Sequence, residues 1–171
     1  MKKFLCNAKT AAILLIVAAI SLGLLTYIAL RPISYGMDYS NKTEYDGGVF
    51  EGSMKFTSGG KMINSNTNLD EVIESRYYYE DGYVFFLMAM TDEEYEAEVA
   101  EIMEDFDAAK DAPFYADEIN AFRMVASEGD GFETVYTCTL AITLVVALGS
   151  LALISAGLAL VSILLKKKIT E

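Results

Sequence analysis

Acidic side chains are the groups of this chain that could do chemistry, because its 171 residues include 25 Asp and Glu but no histidine. Without histidine, the chain lacks the most common general base and the most common metal ligand. It also has no nucleophile elbow, glycine-rich phosphate loop or paired-cysteine metal site. Paired carboxylates are expected by chance among so many acids. We therefore predict that the protein is not an enzyme, and we assign no catalytic residue, cofactor or metal.

The densest acidic run raises the question of a divalent-cation site. Asp105 and Asp107, followed by Asp111, have the spacing that opens a calcium-binding loop. However, the sixth position, which requires glycine, is Lys110, and the twelfth, which requires glutamate, is Ala116. We interpret the run as a solvent-exposed helix face that attracts cations only weakly and diffusely.

Tyrosine is concentrated at residues 77–79, with Tyr83 across a short turn. Successive side chains of a strand point to opposite faces, so at least one face of this hairpin is aromatic. We favour ordinary cross-strand packing, in which tyrosine is common. The alternative is that the aromatic face binds a partner protein or a sugar.

Two stretches without charged residues, 11–30 and 138–165, are long enough to cross a membrane. At about 1.5 Å per residue, the first spans about 30 Å, the thickness of the hydrocarbon layer, and the second about 42 Å, so the second should tilt or protrude. We expect Tyr27 and Tyr136, near the outer ends of these stretches, to lie at the lipid headgroups. Neither stretch contains a charged side chain that would mark a transport path.

Lysines at both ends of the chain set the predicted orientation. Residues 1–10 and 166–171 carry six lysines and one glutamate, a net charge of +5, whereas residues 31–137 carry seven basic and 24 acidic residues, a net charge of −17. Because positive flanks stay in the cytoplasm, we predict two cytoplasmic termini and an extracytoplasmic domain. We expect a two-span protein of a bacterial plasma membrane. The lipid bilayer is therefore an expected partner, and nucleic acid is not.

The first apolar stretch also has the basic start of a secretory signal peptide, which is the alternative interpretation. Its apolar core is too long for a signal peptide, and residues 27–32 offer no cleavage site flanked by small residues. We therefore expect an uncleaved anchor. Cys6 and Cys138 would then lie on opposite sides of the membrane, so no disulfide could join them.

Small residues recur at four-residue spacing in both apolar stretches, as Ala19 with Gly23 and as Ala152 with Ala156. Such spacing permits close contact between membrane helices. We predict that these residues pack the two spans against each other and that Gly23→Leu disrupts the contact.

The segment between the apolar stretches combines strand and helix patterns. We interpret residues 34–48, rich in polar residues and glycine, as an irregular connection. Two antiparallel hairpins are predicted after it, and in the second the Asp-Gly pair supplies the positive φ angles of a tight turn. Their strands lie at 49–56 and 62–64, around a turn at 58–61, and at 75–79 and 83–90, around Asp81 and Gly82.

A helix is predicted to begin after Thr91, because Glu94 stands three residues later and completes a capping box. An apolar stripe at three- and four-residue spacing follows, and the helix should end near Lys110. We expect the stripe to lie on the sheet. It consists of Tyr95, Val99, Ile102, Met103 and Phe106.

Residues 119–126 fit either a strand or a helix. We favour a strand that forms a final hairpin with residues 132–137, across a turn at 127–131. The last strand would then lead almost directly into the second apolar stretch.

The sequence thus predicts a membrane protein of the α+β class, in which two transmembrane helices flank a small antiparallel-sheet domain with one amphipathic helix. We expect the outer domain to be a protein-interaction, accessory or sensor module that engages a membrane or extracytoplasmic protein. The alternative is binding of a small ligand or a divalent cation by this acidic domain. The predicted segments are 1–10 (cytoplasmic), 11–30 (first span), 31–137 (outer domain), 138–165 (second span) and 166–171 (cytoplasmic).

Overall fold

Strands within residues 31–141 form a closed antiparallel barrel, in which each strand pairs with the next along the chain and the last pairs with the first. The computed structural model describes residues 8–45, 48–66, 71–112, 116–128 and 132–170. The predicted antiparallel sheet with helical content is confirmed, but the sequence pattern did not predict closure into a barrel. The strands are β1 (Asp38–Tyr45), β2 (Gly48–Phe56), β3 (Lys61–Asn66), β4 (Glu71–Glu80), β5 (Tyr83–Leu87), β6 (Ala116–Ile119), β7 (Arg123–Glu128) and β8 (Phe132–Thr137), and the helices are α1 (Ala8–Leu30), α2 (Asp92–Glu104), α3 (Phe106–Lys110) and α4 (Thr139–Thr170).

Both hairpins predicted early in the domain are confirmed, as β2 with β3 and β4 with β5. Asp81 and Gly82 form the two-residue turn of the second hairpin, with φ angles of 47° and 92°. Positive φ at both positions is the property of the type I′ turn that matches the twist of paired strands. The Asp-Gly pair therefore fixes the register from Glu80 opposite Tyr83 onwards.

The segment 34–48, predicted to be irregular, instead contains strand β1. This strand pairs with β2 from Asp38 opposite Lys55 onwards, and these two side chains form an ion pair at 3.1 Å. The prediction was wrong because β1 lacks the apolar alternation of a half-buried strand. Tyr39 is a large inward-facing aromatic residue, whereas the next inward-facing residue, Asn41, is polar and also buried.

Residues 119–126 contain no helix: they include the end of β6, a turn at 120–122 and the start of β7. The Asn120 side chain shapes the turn between these strands by accepting hydrogen bonds from the N–H groups of Phe122, at 3.0 Å, and Arg123, at 2.9 Å. The final hairpin is confirmed, because β7 pairs with β8 along its length. The predicted turn at 127–131 lies largely outside the described residues.

The predicted start of helix α2 is confirmed. The Thr91 hydroxyl accepts a hydrogen bond from Glu94 N–H at 3.2 Å, and the Glu94 carboxylate accepts one from Thr91 N–H at 2.9 Å. The same carboxylate also accepts from Met90 N–H at 2.8 Å. Three N–H groups at the helix start, which no helix carbonyl can satisfy, are thereby paired.

The helix does not run unbroken to Lys110, because Asp105 interrupts it. The Asp105 carboxylate accepts a hydrogen bond from Ala108 N–H at 3.2 Å and so caps the short helix α3. The predicted packing of the stripe on the sheet is confirmed, and at Met103, which is half exposed, the sulfur accepts a hydrogen bond from the Tyr78 hydroxyl at 3.3 Å. The stripe residues Tyr95, Val99, Ile102 and Phe106 pack with Tyr78, Tyr83 and Ala109 on a buried cluster of Phe85, Leu87 and Ala89.

One end of the barrel is closed around Tyr39. Its buried ring packs edge to face on Phe56, with ring centroids 5.5 Å apart. Its hydroxyl accepts a hydrogen bond from Ser34 N–H at 2.9 Å and donates one to Asn120 O at 3.0 Å. The Ser34 hydroxyl in turn donates to Ala121 O at 2.8 Å. Burial raises the pKa of Tyr39, so the hydroxyl stays protonated and able to donate.

The chain leaves the barrel beside the same turn, since Cys138 N–H donates to Phe122 O at 2.8 Å. Tyr136 is only 2% exposed and lies on the inner face of β8, opposite Met124. The prediction that Tyr136 lies at the lipid headgroups was therefore wrong, because strand alternation directs its ring into the barrel. Tyr27 is 65% exposed, and its place at the headgroups stays a prediction.

Helices α1 and α4 belong to a second structural unit, formed by residues 1–30 and 142–171. By length and composition, both are apolar enough to cross a membrane. α4 begins shortly after β8, as predicted, and continues past residue 165 to Thr170, which the sequence pattern places in a separate tail. Lys2, Lys3 and Cys6 lie outside the described residues.

Buried and half-buried side chains recur along α1 and α4 at alternating three- and four-residue spacing, which is the heptad pattern of paired helices. From Ala152 onwards, the seam of α4 consists only of alanine and serine, whose small side chains allow the two helices to approach closely. The seam consists of Ala11, Leu14, Ala18, Ser21, Leu25 and Ile28 in α1, and of Val145, Leu148, Ala152, Ser155, Ala159 and Ser162 in α4.

Gly149 shows where the two helices touch, because a Cβ atom at this position would lie 3.2 Å from Leu25 Cδ1. The predicted contact through Ala19 and Gly23 was wrong, since both are exposed and nothing lies within 4 Å of a Cβ at Gly23. Ala156 is exposed as well. Both helices carry apolar residues on all sides, so the hydropathy of the sequence does not indicate which side of each helix faces the other.

Tyr39→Phe should destabilise the barrel by about 2 kcal/mol, because it leaves the buried N–H of Ser34 without an acceptor and the carbonyl of Asn120 without a donor. Urea unfolding of the full chain in detergent micelles, followed by circular dichroism, measures the loss. Tyr79→Phe is the control, because the Tyr79 hydroxyl makes no hydrogen bond in the described part of the chain. Equal effects of the two substitutions would contradict the role of Tyr39.

The start of α2 should loosen in acid. Hydrogen bonds from the backbone N–H groups of Thr91 and Met90 lower the pKa of Glu94. A carboxyl with a lowered folded-state pKa stabilises the fold above its unfolded pKa, about 4.3, and loses that contribution as the pH falls through the folded value. Hydrogen exchange of the α2 amides should show this loss. Glu94→Gln keeps a hydrogen-bond acceptor but cannot titrate, so exchange of the α2 amides in this variant should lack the increase caused by protonation of Glu94. If the pH dependence of exchange is the same in the variant and in the native protein, the assignment to Glu94 is refuted.

Cysteines at Leu25 and Gly149 should form a disulfide readily in a chain carrying Cys6→Ser and Cys138→Ala. Ser155→Leu should reduce the crosslinked fraction severalfold, because a larger side chain in the seam separates the helices. Gly23→Leu is the matched control and should leave the fraction unchanged. A loss caused by Gly23→Leu but not by Ser155→Leu would contradict the seam.

Candidate functional site: a groove between the helices and strand β5

A cavity of about 560 Å³ lies on the outer face of the barrel, between the end of β5 and the helices α2 and α3. It exists because this face is only partly covered. α2 lies over Phe85 and Leu87, and the break at Asp105 then turns the chain into the short helix α3. We call this cavity the helix–sheet groove.

The floor of the groove is apolar. Leu87 faces outward on β5, and Ile102 descends from α2 beside it. The α3 side of the groove carries only methyl groups, at Ala108, Ala109 and Ala112, which are too short to fill the space. The groove is therefore open to a side chain or ligand that is larger than a methyl group.

Three carboxylates line the α2 side of the groove, and we call them the acidic rim: Glu98, Glu101 and Asp105. Glu98 and Glu101 are three residues apart on one side of α2, and Asp105 stands at the break that follows this helix. Two of them are held by backbone hydrogen bonds, since Glu98 accepts from Met88 N–H at 3.2 Å and Asp105 from Ala108 N–H at 3.2 Å. Two of the three rim carboxylates are thus fixed in position, whereas Glu101 is an exposed side chain between them.

Two basic residues that contact α2 or belong to α3 are engaged elsewhere. Arg76 pairs with Asp92 at 2.9 Å and lies 4.3 Å from the centre of the Tyr95 ring. Lys110 pairs with Asp107 at 2.7 Å, and this hydrogen bond raises the pKa of Lys110 and lowers that of Asp107. In the described part of the chain, no rim carboxylate forms an ion pair.

Large apolar side chains stand in solvent beside the groove. Met88, which lines the groove, is 83% exposed, and Met90 is 90% exposed. Met103, on α2, is exposed as well. Methionine is flexible and polarisable, and it is over-represented on surfaces that adapt to protein partners.

The acids with calcium-loop spacing lie around the short helix α3. Asp105 caps α3, Asp107 pairs with Lys110, and Asp111 lies at the end of α3. Among the described residues, no group of three His, Cys, Asp or Glu side chains is placed to hold a metal ion. The interpretation of the run as an exposed helix face is confirmed for most of its acids, but Glu98 is half-buried at the groove.

The tyrosines at 77–79 pack as the favoured interpretation predicts. Tyr77 is buried inside the barrel, where its ring lies 5.1 Å from Phe56, and burial raises its pKa. Tyr78 lies on the opposite face beneath the helices, and burial followed by the Glu80 carboxylate raises the pKa of Tyr78 to about 12. Tyr83 packs against Phe106, with ring centroids 6.4 Å apart. Tyr78 and Tyr83 thus build the core beneath the groove and Tyr77 packs in the barrel interior, so these three rings do not form an open aromatic surface.

The sequence analysis missed the groove and its rim. Glu98, Glu101 and Asp105 were visible as acids, but nothing in their spacing distinguishes them from the other acids of the helix. Only Asp105, as a capping residue type within a long helical pattern, offered a signal that the helix breaks there.

No protein-family model matches this chain, and no curated protein is similar to it. The geometry and charge of the helix–sheet groove are therefore the basis for assigning a function.

Proposed function

We propose that this chain is a two-span protein of a bacterial plasma membrane, with both termini in the cytoplasm, whose barrel domain binds another protein as an accessory subunit or sensor. The exposed apolar surface beside the helix–sheet groove carries this proposal. Exposed Met88 at the open apolar floor, with exposed Met90 two residues further along the chain, leaves nonpolar surface in water, and such patches are typical of interaction sites.

Two features support the location in a membrane. Helices α1 and α4 are long and apolar enough to cross a bilayer. Lysines flank both apolar stretches on the sides that face the chain ends, which favours cytoplasmic termini and an extracytoplasmic barrel. In this location, the expected partner is another membrane protein or an extracytoplasmic one.

A small organic ligand is the second candidate, because a volume of about 560 Å³ lies within the range of small-molecule sites. A divalent cation is less well supported, since no cluster of three potential ligands occurs among the described residues. Ligands of either kind would raise the melting temperature of the barrel by binding its folded state, whereas a protein partner would be recovered by crosslinking.

Labelling of intact cells tests both parts of the proposal. Met90→Cys, in a chain carrying Cys6→Ser and Cys138→Ala, is treated with a membrane-impermeant maleimide that carries a photoreactive benzophenone. We expect labelling without permeabilisation and, after illumination, a crosslink to one defined protein. Labelling only after permeabilisation would contradict the proposed topology.

Val72→Cys is the matched control, because Val72 is an exposed apolar residue of β4, 69% exposed, that is neither in the groove nor next to it in sequence, whereas Met90 lies two residues from Met88, which lines the groove. It should be labelled as Met90→Cys is but should not crosslink to the same protein. The same crosslinked products from both positions, or none from either, would refute the proposed interaction surface.

A further inference from the structure

We infer that the helix–sheet groove receives a basic, amphipathic peptide segment of the partner, with lysine or arginine side chains against the acidic rim and an apolar side chain on the floor. This inference rests on the proposed function and deepens it by naming the chemistry of the partner. It combines two properties of one site: three carboxylates that form no ion pair with any described basic residue, and an apolar cavity beside them.

Charge complementarity selects a cationic occupant. Glu98, Glu101 and Asp105 form no ion pair in the described part of the chain, while Arg76 and Lys110 are held by other carboxylates. Carboxylates beside an apolar, partly water-excluded floor interact more strongly with an approaching cation than they would in open water. The net charge of −17 on residues 31–137 also favours a cationic occupant, since it attracts basic segments and repels acidic ones.

The shape of the groove requires an apolar group as well as a charge. Leu87 and Ile102 bound the floor, and the methyl groups of Ala108 and Ala109 leave it unfilled. An apolar side chain of the partner would be removed from water there, and flexible Met88 at the mouth could close over it. A purely polar basic segment would leave this space empty.

The rim also sets a spacing. Glu98 and Asp105 are seven residues apart, which corresponds to about 10 Å along a helix axis. Basic side chains of the partner segment should therefore repeat over about this distance. Such a spacing is available to residues seven apart in a helix or three apart in an extended chain, at about 3.3 Å per residue.

Binding of synthetic peptides to the full chain in phosphatidylcholine nanodiscs tests the inference, with empty nanodiscs as the blank. The probes are a short peptide of lysine and leucine, a version with glutamate in place of lysine, and a version with serine in place of leucine. At physiological ionic strength, we expect only the lysine–leucine peptide to bind and to shift the methyl resonance of Met88 in ¹³C-methyl-methionine spectra.

Removing the rim charges should weaken this binding about tenfold, because each exposed charge pair contributes about two- to fivefold. Glu98→Gln, Glu101→Gln and Asp105→Asn are made together, and each new side chain keeps an oxygen acceptor for the backbone hydrogen bonds of the rim. The matched control is Glu93→Gln, Glu96→Gln and Glu104→Gln, which changes the charge of the same helix equally but away from the groove. It should weaken binding less than twofold.

Equal losses in the two triple variants would show diffuse electrostatic attraction and overturn the inference. Equal binding of the serine peptide would do so as well, because the floor would then contribute nothing. These outcomes are distinguishable from failure of the proposed function. If Met90→Cys still crosslinks one defined partner in cells and the rim variant does not reduce that crosslink, the barrel binds a protein but the groove does not receive a basic segment.

Discussion

The buried hydroxyl of Tyr39 connects the start of the barrel domain to a turn that lies 81 residues further along the chain. It accepts a hydrogen bond from Ser34, in the segment that precedes β1, and donates one to Asn120, in the turn between β6 and β7. A buried hydroxyl is costly unless it is paired, so both bonds are needed once the ring is inside the barrel. The aromatic packing on Phe56 puts it there. Closure of this end of the barrel therefore depends on one side chain that satisfies packing and hydrogen bonding together.

Closure of the barrel also explains why a groove exists on its outer face. β5 contributes Val84 to the interior, whereas Phe85 and Leu87 point outward and must be covered by another element. α2 provides that cover, and its capping box at Thr91 fixes where the cover begins. The break at Asp105 ends it before the apolar surface is fully buried. The groove, the rim and the exposed methionines thus exist because α2 covers only part of the outward-facing apolar surface of β5.

The apolar helices follow a different principle. Their composition is apolar on all sides, so the side that packs is set by residue size and not by hydropathy. Serine and alanine at seam positions of α4 let α1 approach, as the short distance between Leu25 and a Cβ at Gly149 indicates. The glycine that is most conspicuous in α1, Gly23, lies on the outside. Small residues alone are therefore a weak guide to a helix contact unless their spacing matches the seam of both helices.

Local rules determined much of this protein from the sequence by itself. The Asp81–Gly82 turn, the capping box of Thr91 and Glu94, and the two apolar helices each depend on interactions within a few residues, or on composition over one helix. What the sequence left undecided depends on partners distant along the chain. β1 was missed because its support comes from pairing with β2 and from the enclosed position of Tyr39, not from its own apolar pattern. The groove could not be predicted for the same reason: which carboxylates remain without a cation is decided only when the fold brings Arg76 to Asp92 and sets Glu98 beside Met88. Only the tertiary structure decides which carboxylates are paired, because sequence spacing cannot distinguish side chains of the same type. Their pairing depends on residues that are distant along the chain and come close only in the fold.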